Sequence, residues 1–422
     1  MTTVADIVDA VTDGPLPLRL TAYDGSDVGP RDAPFRLHVA SERGLSYVLT
    51  APGDLGLARA YVSGDIEAHG VHPGDPYELL RAAEELPLRR PSPAEVLALA
   101  RELGLSRLRP PQPPPQESLP RWRRTLQGLR HSRSRDAAAI QHHYDVSNSF
   151  YEKVLGPSMT YTCALYRSPD DSLETAQEAK YALVADKLGL RPGMRLLDVG
   201  CGWGGMVRHA AREHGVRALG VTLSRQQATW AAEAIKKEGL DDLAEVRYLD
   251  YRDLPTDAPF DAISSIGLTE HIGVENYPDY FRRLRQLLVP GGRLLNHCIT
   301  RSDSRASHRT GAFIDRYVFP DGELASPGRL ITEIHDAGFE VQHDENLRQH
   351  YALTLAAWCR NLVDRWDECV ADVGEGTARV WGLYMAGSRL SFERNALQLH
   401  QVLCTRTEAG APDFPLRPDW TP

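Results

Sequence analysis

Residues 196–205 read Leu-Leu-Asp-Val-Gly-Cys-Gly-Trp-Gly-Gly, a short apolar run followed at once by a glycine-rich stretch. A short apolar run of this kind is typical of a buried strand in a parallel sheet. Glycines directly after such a strand let the backbone approach a ligand closely at the carboxyl end of the sheet, where open α/β folds bind cofactors. The stretch therefore predicts a nucleotide-cofactor fold, although Gly200, Gly202 and Gly205 also satisfy the weak dinucleotide pattern G-x-G-x-x-G.

The residues downstream distinguish two classes of cofactor. A dinucleotide fold usually places Asp or Glu about 20 residues further on, at the end of the next strand, to bind a ribose hydroxyl. Here the next strand, 218–221, is followed by Thr222-Leu223-Ser224, and the carboxylate lies in the first strand at Asp198. S-adenosylmethionine carries an amino group and no phosphate, so this arrangement suits it better than a dinucleotide. We therefore expect a methyltransferase rather than a dehydrogenase.

Strand-like and helix-like segments alternate behind residue 190, which predicts the α/β class with a doubly wound sheet. The predicted strands are 194–199, 217–222, 245–249, 260–266 and 292–299, and the predicted helices are 204–214, 224–239 and 277–288. The tail, 326–422, is expected to add helix and a final pair of strands that includes Leu399–Leu403.

A proline-rich stretch, Arg109–Gln116, is the clearest boundary in the sequence, because such a segment acts as a semi-rigid linker. It predicts an accessory domain at 1–108, a linker at 109–135 and a catalytic domain at 136–422. The accessory domain is expected to be a smaller α/β or α+β unit. Its predicted strands are 35–39 and 46–50, and its predicted helices lie near 54–63, 77–86 and 93–104.

Charge is distributed unevenly along the chain. The net charge of the 422 residues is −9, but residues 101–135 hold nine arginines against two glutamates, a local charge of +7. Arginines interleaved with Trp122, Leu126 and Leu129 suit anionic lipid headgroups. They would equally suit a solvated linker that pairs with acids of the flanking domains. Nucleic acid is a poorer partner, since the rest of the chain is acidic.

Targeting and cysteine patterns indicate the compartment. No apolar run approaches the roughly 18 residues of a membrane span, and the amino terminus lacks the features of a signal peptide. The six cysteines are scattered without a C-x-x-C pair, which argues against a disulfide framework or a metal site. We expect a cytoplasmic protein with no transmembrane segment and no bound metal.

A series of motifs surrounds the glycine loop from about residue 138 to the end. They are His143-Tyr-Asp-x-x-Asn-x-Phe-Tyr151, Tyr161-x-Cys163, Gly220-Val-Thr-Leu-Ser224 with Gln227, Asp250-Tyr-Arg-Asp253, Glu270-His-Ile-Gly273, Phe319-Pro-Asp-Gly322, Tyr351-x-x-Thr-Leu355 and Gln401-Val-Leu403. In this order they closely resemble the cyclopropane fatty-acyl-phospholipid synthases and their mycolic acid cyclopropane synthase relatives. Residues 1–108 are similar, less sharply, to the extra amino-terminal domain of the longer bacterial members.

This resemblance implies a class I methyltransferase-like fold and a chemistry. Members of the family transfer a methyl group from S-adenosylmethionine to an unactivated cis double bond of a lipid acyl chain, and loss of a proton from the resulting carbocation closes a cyclopropane ring. A bound bicarbonate ion is the base. Its implied site consists of Cys163 (through its backbone N–H), Glu270, His297, Ile299 (through its backbone) and Tyr351. The implied cofactor-binding residues are Tyr161, Thr162 (where many relatives have Ser), Asp198, Gly200, Cys201, Gly202, Thr222, Leu223, Gln227, Tyr251 and Arg252.

The resemblance leaves the product and the substrate open. Deprotonation at the neighbouring chain carbon would instead give an exocyclic methylene, the precursor of a methyl-branched chain; we expect the cyclopropane. The expected substrate is an acyl chain of a phospholipid at the inner face of the membrane, with a carrier-bound chain as the alternative, and the expected assembly is a homodimer. An inactive lipid-binding relative would have lost site residues, and a small-molecule methyltransferase would lack Cys163, His297 and Tyr351 as a set; neither loss is seen.

Overall fold

The computed structural model describes residues 2–90, 92, 94–95, 101–102, 109–118, 147–408, 410 and 414–420. Most of the predicted helix 93–104, the arginine-rich segment 121–135 and the start of the His143 motif lie outside the described residues. The chain forms two compact units. The first comprises Met1–Pro120, Gly311–Pro320 and Trp358–Leu390, and the second comprises Arg121–Thr310, Asp321–Ala357 and Ser391–Pro422. The sequence-based boundaries at 108 and 136 divide the chain differently and stay a prediction about its domains.

The first unit contains a small mixed sheet covered by helices. Its strands are β1 (Arg19–Ala22), β2 (Asp27–Val28), β3 (Arg36–Val39) and β4 (Ile66–His69), in the order β2-β1-β3-β4. Its first helices are α1 (Val4–Val11), α2 (Glu42–Thr50), α3 (Asp54–Val62) and α4 (Tyr77–Ala83). Side chains from the sheet and from the helices share one core, which includes Val4, Val39, Tyr47 and Ile66.

The predicted strand at 46–50 is wrong, because these residues form the second half of helix α2. The Ser41 side chain accepts a hydrogen bond from the Gly44 amide and so caps the first turn. Tyr47 is buried in the core, and its hydroxyl donates to the carbonyl of Gln112 at 2.5 Å. Tertiary packing and the cap therefore outweigh the β-propensity of this aromatic and β-branched run.

A seven-stranded sheet organises the second unit. Its strands are β5 (Arg195–Val199), β6 (Arg217–Thr222), β7 (Ala244–Tyr248), β8 (Phe260–Ile266), β9 (Leu288–Arg301), β10 (Glu340–Asn346) and β11 (Leu397–Thr405). The order is β10-β11-β9-β8-β5-β6-β7, and β11 runs antiparallel to both of its neighbours, whereas β5 to β9 are parallel. The predicted doubly wound sheet and its closing strand pair are confirmed.

Helices from residue 148 onward precede the strands of this sheet or lie between them along the chain, and those within 311–320 and 358–390 belong to the first unit. They are α5 (Asn148–Leu155), α6 (Leu173–Leu188), α7 (Gly205–His214), α8 (Arg225–Lys237), α9 (Thr269–Ile272), α10 (Tyr277–Leu287), α11 (Ala312–Tyr317), α12 (Pro327–Asp336), α13 (Arg348–Asp364), α14 (Trp366–Val373) and α15 (Glu375–Glu393). Short 3₁₀ turns lie at Tyr251–Asp253 and Val274–Asn276. No helix among the described residues is long and apolar enough to cross a membrane.

Burial on both faces explains why the central strands read as continuous apolar runs. Leu197 packs into one core with helix α10, and its neighbour Leu196 packs into a second core with helices α6 and α7. Pro290-Gly291-Gly292 has the sequence of a turn and was expected to lead into the strand predicted at 292–299, but it lies inside strand β9, where the register with β8 jumps from Leu288 to Arg293. This irregularity leaves the carboxyl half of β9 in regular pairing, which fixes the direction of the side chains that build the site.

Candidate active site

The glycine loop crosses the end of strand β6. The amides of Gly200 and Cys201 both donate to the carbonyl of Val221, at 2.9 and 3.1 Å. Gly200 has φ +73°, and a Cβ there would lie 3.0 Å from the Leu268 side chain. Gly202 has φ +54°, and a Cβ there would meet nothing within 4 Å. The loop backbone thus packs closely against Leu268 at Gly200 and borders open space at Gly202, where a ligand can approach it.

Two adjoining cavities lie at the carboxyl ends of the parallel strands. Each has a volume of about 70 Å³, and both are lined by Gly200, Gly202, Gln227 and Gly267. The eleven residues predicted to bind the cofactor all line one or both of these cavities: Tyr161, Thr162, Asp198, Gly200, Cys201, Gly202, Thr222, Leu223, Gln227, Tyr251 and Arg252. A cavity of about 320 Å³ at the amino ends of the strands contains none of them.

Polar groups at the strand ends give these cavities their chemistry. Asp198 is buried, accepts a hydrogen bond from the Ser264 hydroxyl at 2.6 Å, and has its pKa raised to about 6 by burial. The Thr222 hydroxyl donates to Gln227 Oε1 at 2.8 Å, so no carboxylate ends strand β6. A carboxylate on the first strand and none on the second fits the amino group of S-adenosylmethionine, as the sequence indicated.

Tyr251 and Arg252, in the turn after strand β7, line one of the two cavities. Asp250 accepts from the Arg252 amide at 2.9 Å and pairs with the Arg252 guanidinium at 2.6 Å. The Tyr251 ring meets the edge of the Tyr280 ring at a centroid distance of 5.2 Å. Both predicted residues of this turn are therefore held in defined positions, with the guanidinium neutralised by its own neighbour.

Lys180 is a cavity residue that sequence reasoning missed. It is fully buried, its Nζ donates to Thr162 Oγ1 at 3.2 Å, and it lies 3.5 Å from the centre of the Tyr181 ring. Within the described part of the chain it forms no ion pair with a carboxylate. Burial lowers its pKa to about 7, although the charge of Asp198 opposes this shift. The sequence gives no signal for it, because a lysine on a helix is ordinarily solvated.

Two of the predicted catalytic residues, Cys163 and Tyr351, are linked through the start of helix α13. The Cys163 thiol contacts the Leu347 carbonyl at 3.7 Å, and the next amide, of Ala164, donates to Thr354 Oγ1 at 3.0 Å. Tyr351 lies on the first turn of α13, where its ring packs on Phe392 at 4.6 Å. Burial raises the pKa of the Cys163 thiol, so the side chain is a poor nucleophile.

The other predicted catalytic residues meet on strand β9. The Leu347 amide donates to the Leu399 carbonyl, and Leu399 pairs with Ile299 across the sheet. Strand β8 ends at Ile266, opposite His297, so the Ile299 amide has no partner from β8. Glu270 Oε1 accepts from that amide at 2.7 Å instead. The backbone of Ile299 was predicted to bind the anion, and its amide donates to Glu270 in this structure.

Glu270 and His297 each bury a polar atom that lacks a hydrogen-bond partner among the described residues. These atoms are Glu270 Oε2 and His297 Nε2. Burial raises the pKa of Glu270 to about 7 and lowers the pKa of His297 well below its ordinary value, with Lys180 and Lys187 adding repulsion. Unsatisfied buried polar atoms are costly, so the pair is expected to bind a ligand with both acceptor and donor atoms. A small anion that carries a hydroxyl group fits this requirement.

The described residues show no metal cluster: no group of three or more His, Cys, Asp or Glu side chains among them could hold an ion. The site instead combines glycine-lined cavities at the strand ends with a neutral histidine on strand β9 and a carboxyl group on helix α9. This arrangement suits transfer of a group from a bound cofactor, assisted by a small anion.

Comparison with known proteins agrees with this geometry. Residues 131–402 match the family model described as mycolic acid cyclopropane synthetase. A probable fatty acid methyltransferase of Mycobacterium tuberculosis is 59% identical over 99% of this chain and 98% of its own length. The cyclopropane-fatty-acyl-phospholipid synthase of Escherichia coli is 36% identical over 63% of this chain and 66% of its own length.

Solved structures of cyclopropane synthases have the same fold as the second unit. A mycolic acid cyclopropane synthase, CmaA1, determined in complex with S-adenosylhomocysteine and CTAB, superposes with a TM-score of 0.60 and 33% identity. The match covers 64% of this chain and 98% of that one. The seven-stranded sheet is thus the class I methyltransferase fold of the cyclopropane synthases. The chain belongs to the mycolic acid cyclopropane synthetase family, whose members are S-adenosylmethionine-dependent methyltransferases that act on lipids.

Proposed function

We propose that this protein methylates the cis double bond of an unsaturated acyl chain in a phospholipid, with bicarbonate as the base, and that a cyclopropane ring forms. The observation that carries the proposal is the pair of unsatisfied buried atoms, Glu270 Oε2 and His297 Nε2. Its relatives support the lipid part, because they include a fatty acid methyltransferase and a cyclopropane-fatty-acyl-phospholipid synthase.

The predicted ligands of the ion have the donors and acceptors that bicarbonate needs. His297, the Tyr351 hydroxyl and the Cys163 amide would donate to its oxygens, and Glu270 would accept from its hydroxyl group. A pKa near 7 suits Glu270 to this role, since the carboxyl group can hold or release a proton at neutral pH. When bound, S-adenosylmethionine supplies a methyl group on a sulfonium, and bicarbonate supplies a base.

The protein's own side chains are poor bases for the reaction, which favours an external one. The Cys163 thiol has a raised pKa, and His297 is buried beside two lysines. Glu270 already uses one oxygen to accept from Ile299. The chain therefore acts by binding the ion, orienting it and excluding water, and activation of a side-chain nucleophile is not required.

Membrane-surface binding and dimerisation belong to the same proposal and rest on the sequence. Arginines at 121–135 would hold the protein at anionic headgroups, which brings acyl chains of the bilayer within reach of the site.

The alternative product, an exocyclic methylene, would need the same residues, because only the position of the lost proton differs.

The test is methyl transfer from labelled S-adenosylmethionine to vesicles of a cis-unsaturated phospholipid. We expect label in the lipid, none with vesicles of a fully saturated phospholipid, and a rate that falls when bicarbonate is stripped from the buffer. Equal transfer to the saturated lipid would contradict the double bond as the acceptor. A rate that is independent of bicarbonate in the stripped enzyme would contradict the base.

A further inference from the structure

A row of polar side chains, buried apart from Glu345 at its outer end, lies behind His297, outside the predicted site. Lys187 Nζ donates to Glu345 Oε2 at 2.5 Å and to Gln401 Oε1 at 2.7 Å. Gln401 Nε2 lies 3.1 Å from His297 Nδ1. The Lys187 side chain is 1% exposed and Gln401 is fully buried. A buried polar group without a hydrogen bond is costly, so each donor in this row must face an acceptor.

The fold fixes this row from two directions. Gln401 stands directly opposite His297 in the register between strands β11 and β9. Lys187 lies in the last turn of helix α6, and Glu345 lies on strand β10, the far neighbour of β11. Each member is thus held by a different element, and the amide group of Gln401 is the part that can rotate.

The ammonium group of Lys187 determines which way that amide faces. An ammonium carries N–H donors and no acceptor, so Gln401 must turn its oxygen toward Lys187. The NH₂ group then faces His297, and an NH₂ group can only donate. His297 Nδ1 must therefore offer a lone pair, and in a neutral imidazole the proton then resides on Nε2.

We propose that Gln401, held by Lys187, is a positioning residue that fixes His297 as the Nε2–H tautomer and so makes the buried Nε2 a hydrogen-bond donor. The role of that donor toward bicarbonate rests on the proposed function, whereas the tautomer itself does not. His297 is then a binder of an anion and not a proton acceptor.

The charged form of the ring is disfavoured by the same surroundings. An imidazolium would set its Nδ1–H against the Gln401 NH₂ group. Burial lowers the pKa of His297 well below its ordinary value, and Lys180 and Lys187 add to this because both repel a positive charge on the ring. The only carboxylate in the row, Glu345, is engaged by Lys187. A neutral ring with a single tautomer is the consequence.

Nuclear magnetic resonance of the full-length protein with ¹⁵N-labelled histidine tests the proposal. The chain has 15 histidines, and His297→Gln identifies the signals to follow by their loss. We expect the couplings of the wild-type ring to show a proton on Nε2 at neutral pH. A proton on Nδ1, or on both nitrogens, would overturn the proposal.

Two variants of the lysine form a matched pair. Lys187→Arg keeps a group that only donates, so the Nε2–H tautomer is expected to persist. Lys187→Met frees the amide to turn its oxygen toward Nδ1, so the Nδ1–H tautomer is expected to appear. An unchanged tautomer in Lys187→Met would overturn the role of the lysine, since a purely structural role predicts that result. If Lys187→Met does not fold, Gln401→Glu tests whether residue 401 sets the tautomer, because its carboxylate should draw the proton to Nδ1.

Dependence of the rate on bicarbonate separates this proposal from the function on which it rests. Lys187→Met is expected to need about tenfold more bicarbonate for half-maximal rate, the effect of losing one hydrogen bond to an anion. Lys187→Arg should behave as the wild type. If the tautomer shifts as expected while the bicarbonate dependence does not, the positioning role stands and the bicarbonate site of the proposed function is contradicted.

Discussion

Replacing Glu270 by Gln is expected to stabilise the protein at alkaline pH while it removes activity. One oxygen of the carboxyl group is bound to the Ile299 amide, and the other is buried without a partner among the described residues. Gln has nearly the same shape and keeps an acceptor for that amide, but it has no proton to lose. The variant therefore isolates the cost of ionising a carboxyl group in this site.

The pKa of Glu270 gives the size of that cost. Its pKa rises from 4.5 to about 7 on burial. At about 1.4 kcal/mol for each unit of pKa, ionising the group in the folded protein costs about 3 kcal/mol more than in the unfolded chain. The folded state holds the proton more tightly, so the stability of the wild type falls as the pH rises from 4.5 to 7 and is constant, for this group, above 7. The variant lacks this loss.

Urea unfolding of both proteins at pH 4.5 and pH 8 measures the effect. The free energy of unfolding of Glu270→Gln, relative to the wild type, is expected to be higher at pH 8 than at pH 4.5 by about 3 kcal/mol. Glu233→Gln, which alters an exposed carboxylate on helix α8, is the matched control and should show no such change. A difference between variant and wild type that is the same at both pH values would refute the reasoning.

Three further changes test the anion site, the cofactor cavity and the arginine-rich segment. His297→Ala should slow turnover by about 10- to 100-fold while affinity for S-adenosylhomocysteine, measured by calorimetry, stays unchanged; a parallel loss of affinity would contradict its place outside the cofactor cavity. Lys180→Met should weaken binding of S-adenosylhomocysteine about tenfold, since a buried ammonium balances the ligand's carboxylate, but not of methylthioadenosine, which has none; equal losses would contradict this. Replacing Arg121, Arg123 and Arg124 by Gln should weaken binding to anionic vesicles, most strongly at low salt; unchanged sedimentation with vesicles would remove their membrane role.

The sheet of the second unit was predictable because its strands carry a strong local signal. Strands β6 and β8 were predicted with the observed bounds, since both are apolar runs closed by turn residues. The helix at 42–50 was missed because the aromatic and β-branched residues of 46–50 favour a strand locally. Only the Ser41 cap and burial of Tyr47 decide in favour of the helix, and burial is a property of the whole fold.

The cofactor cavity was predictable for the same reason, whereas the surroundings of the anion site were not. The glycines and Thr222 follow strand ends, which a sequence displays directly, whereas the full set of cofactor residues, with Tyr161 and Thr162, was implied by the family resemblance. Lys180 and Lys187 read as ordinary solvated residues of a helix until their burial is known. Gln401 acquires a role only through its register opposite His297, a pairing between strands more than a hundred residues apart. The backbone of Ile299 was assigned to the ion, and only the end of strand β8 shows why its amide donates to Glu270.

The structure of the lipid product tests the central claim most directly. The purified protein would be incubated with S-adenosylmethionine, bicarbonate and vesicles of a phospholipid with oleoyl chains, and the recovered acyl chains examined by mass spectrometry and NMR. The account predicts that each modified chain gains the mass of one methylene group, that cyclopropane ring protons replace the vinyl protons, and that Glu270→Gln gives almost none of this product. Acyl chains recovered unchanged, or the same yield from Glu270→Gln, would contradict it.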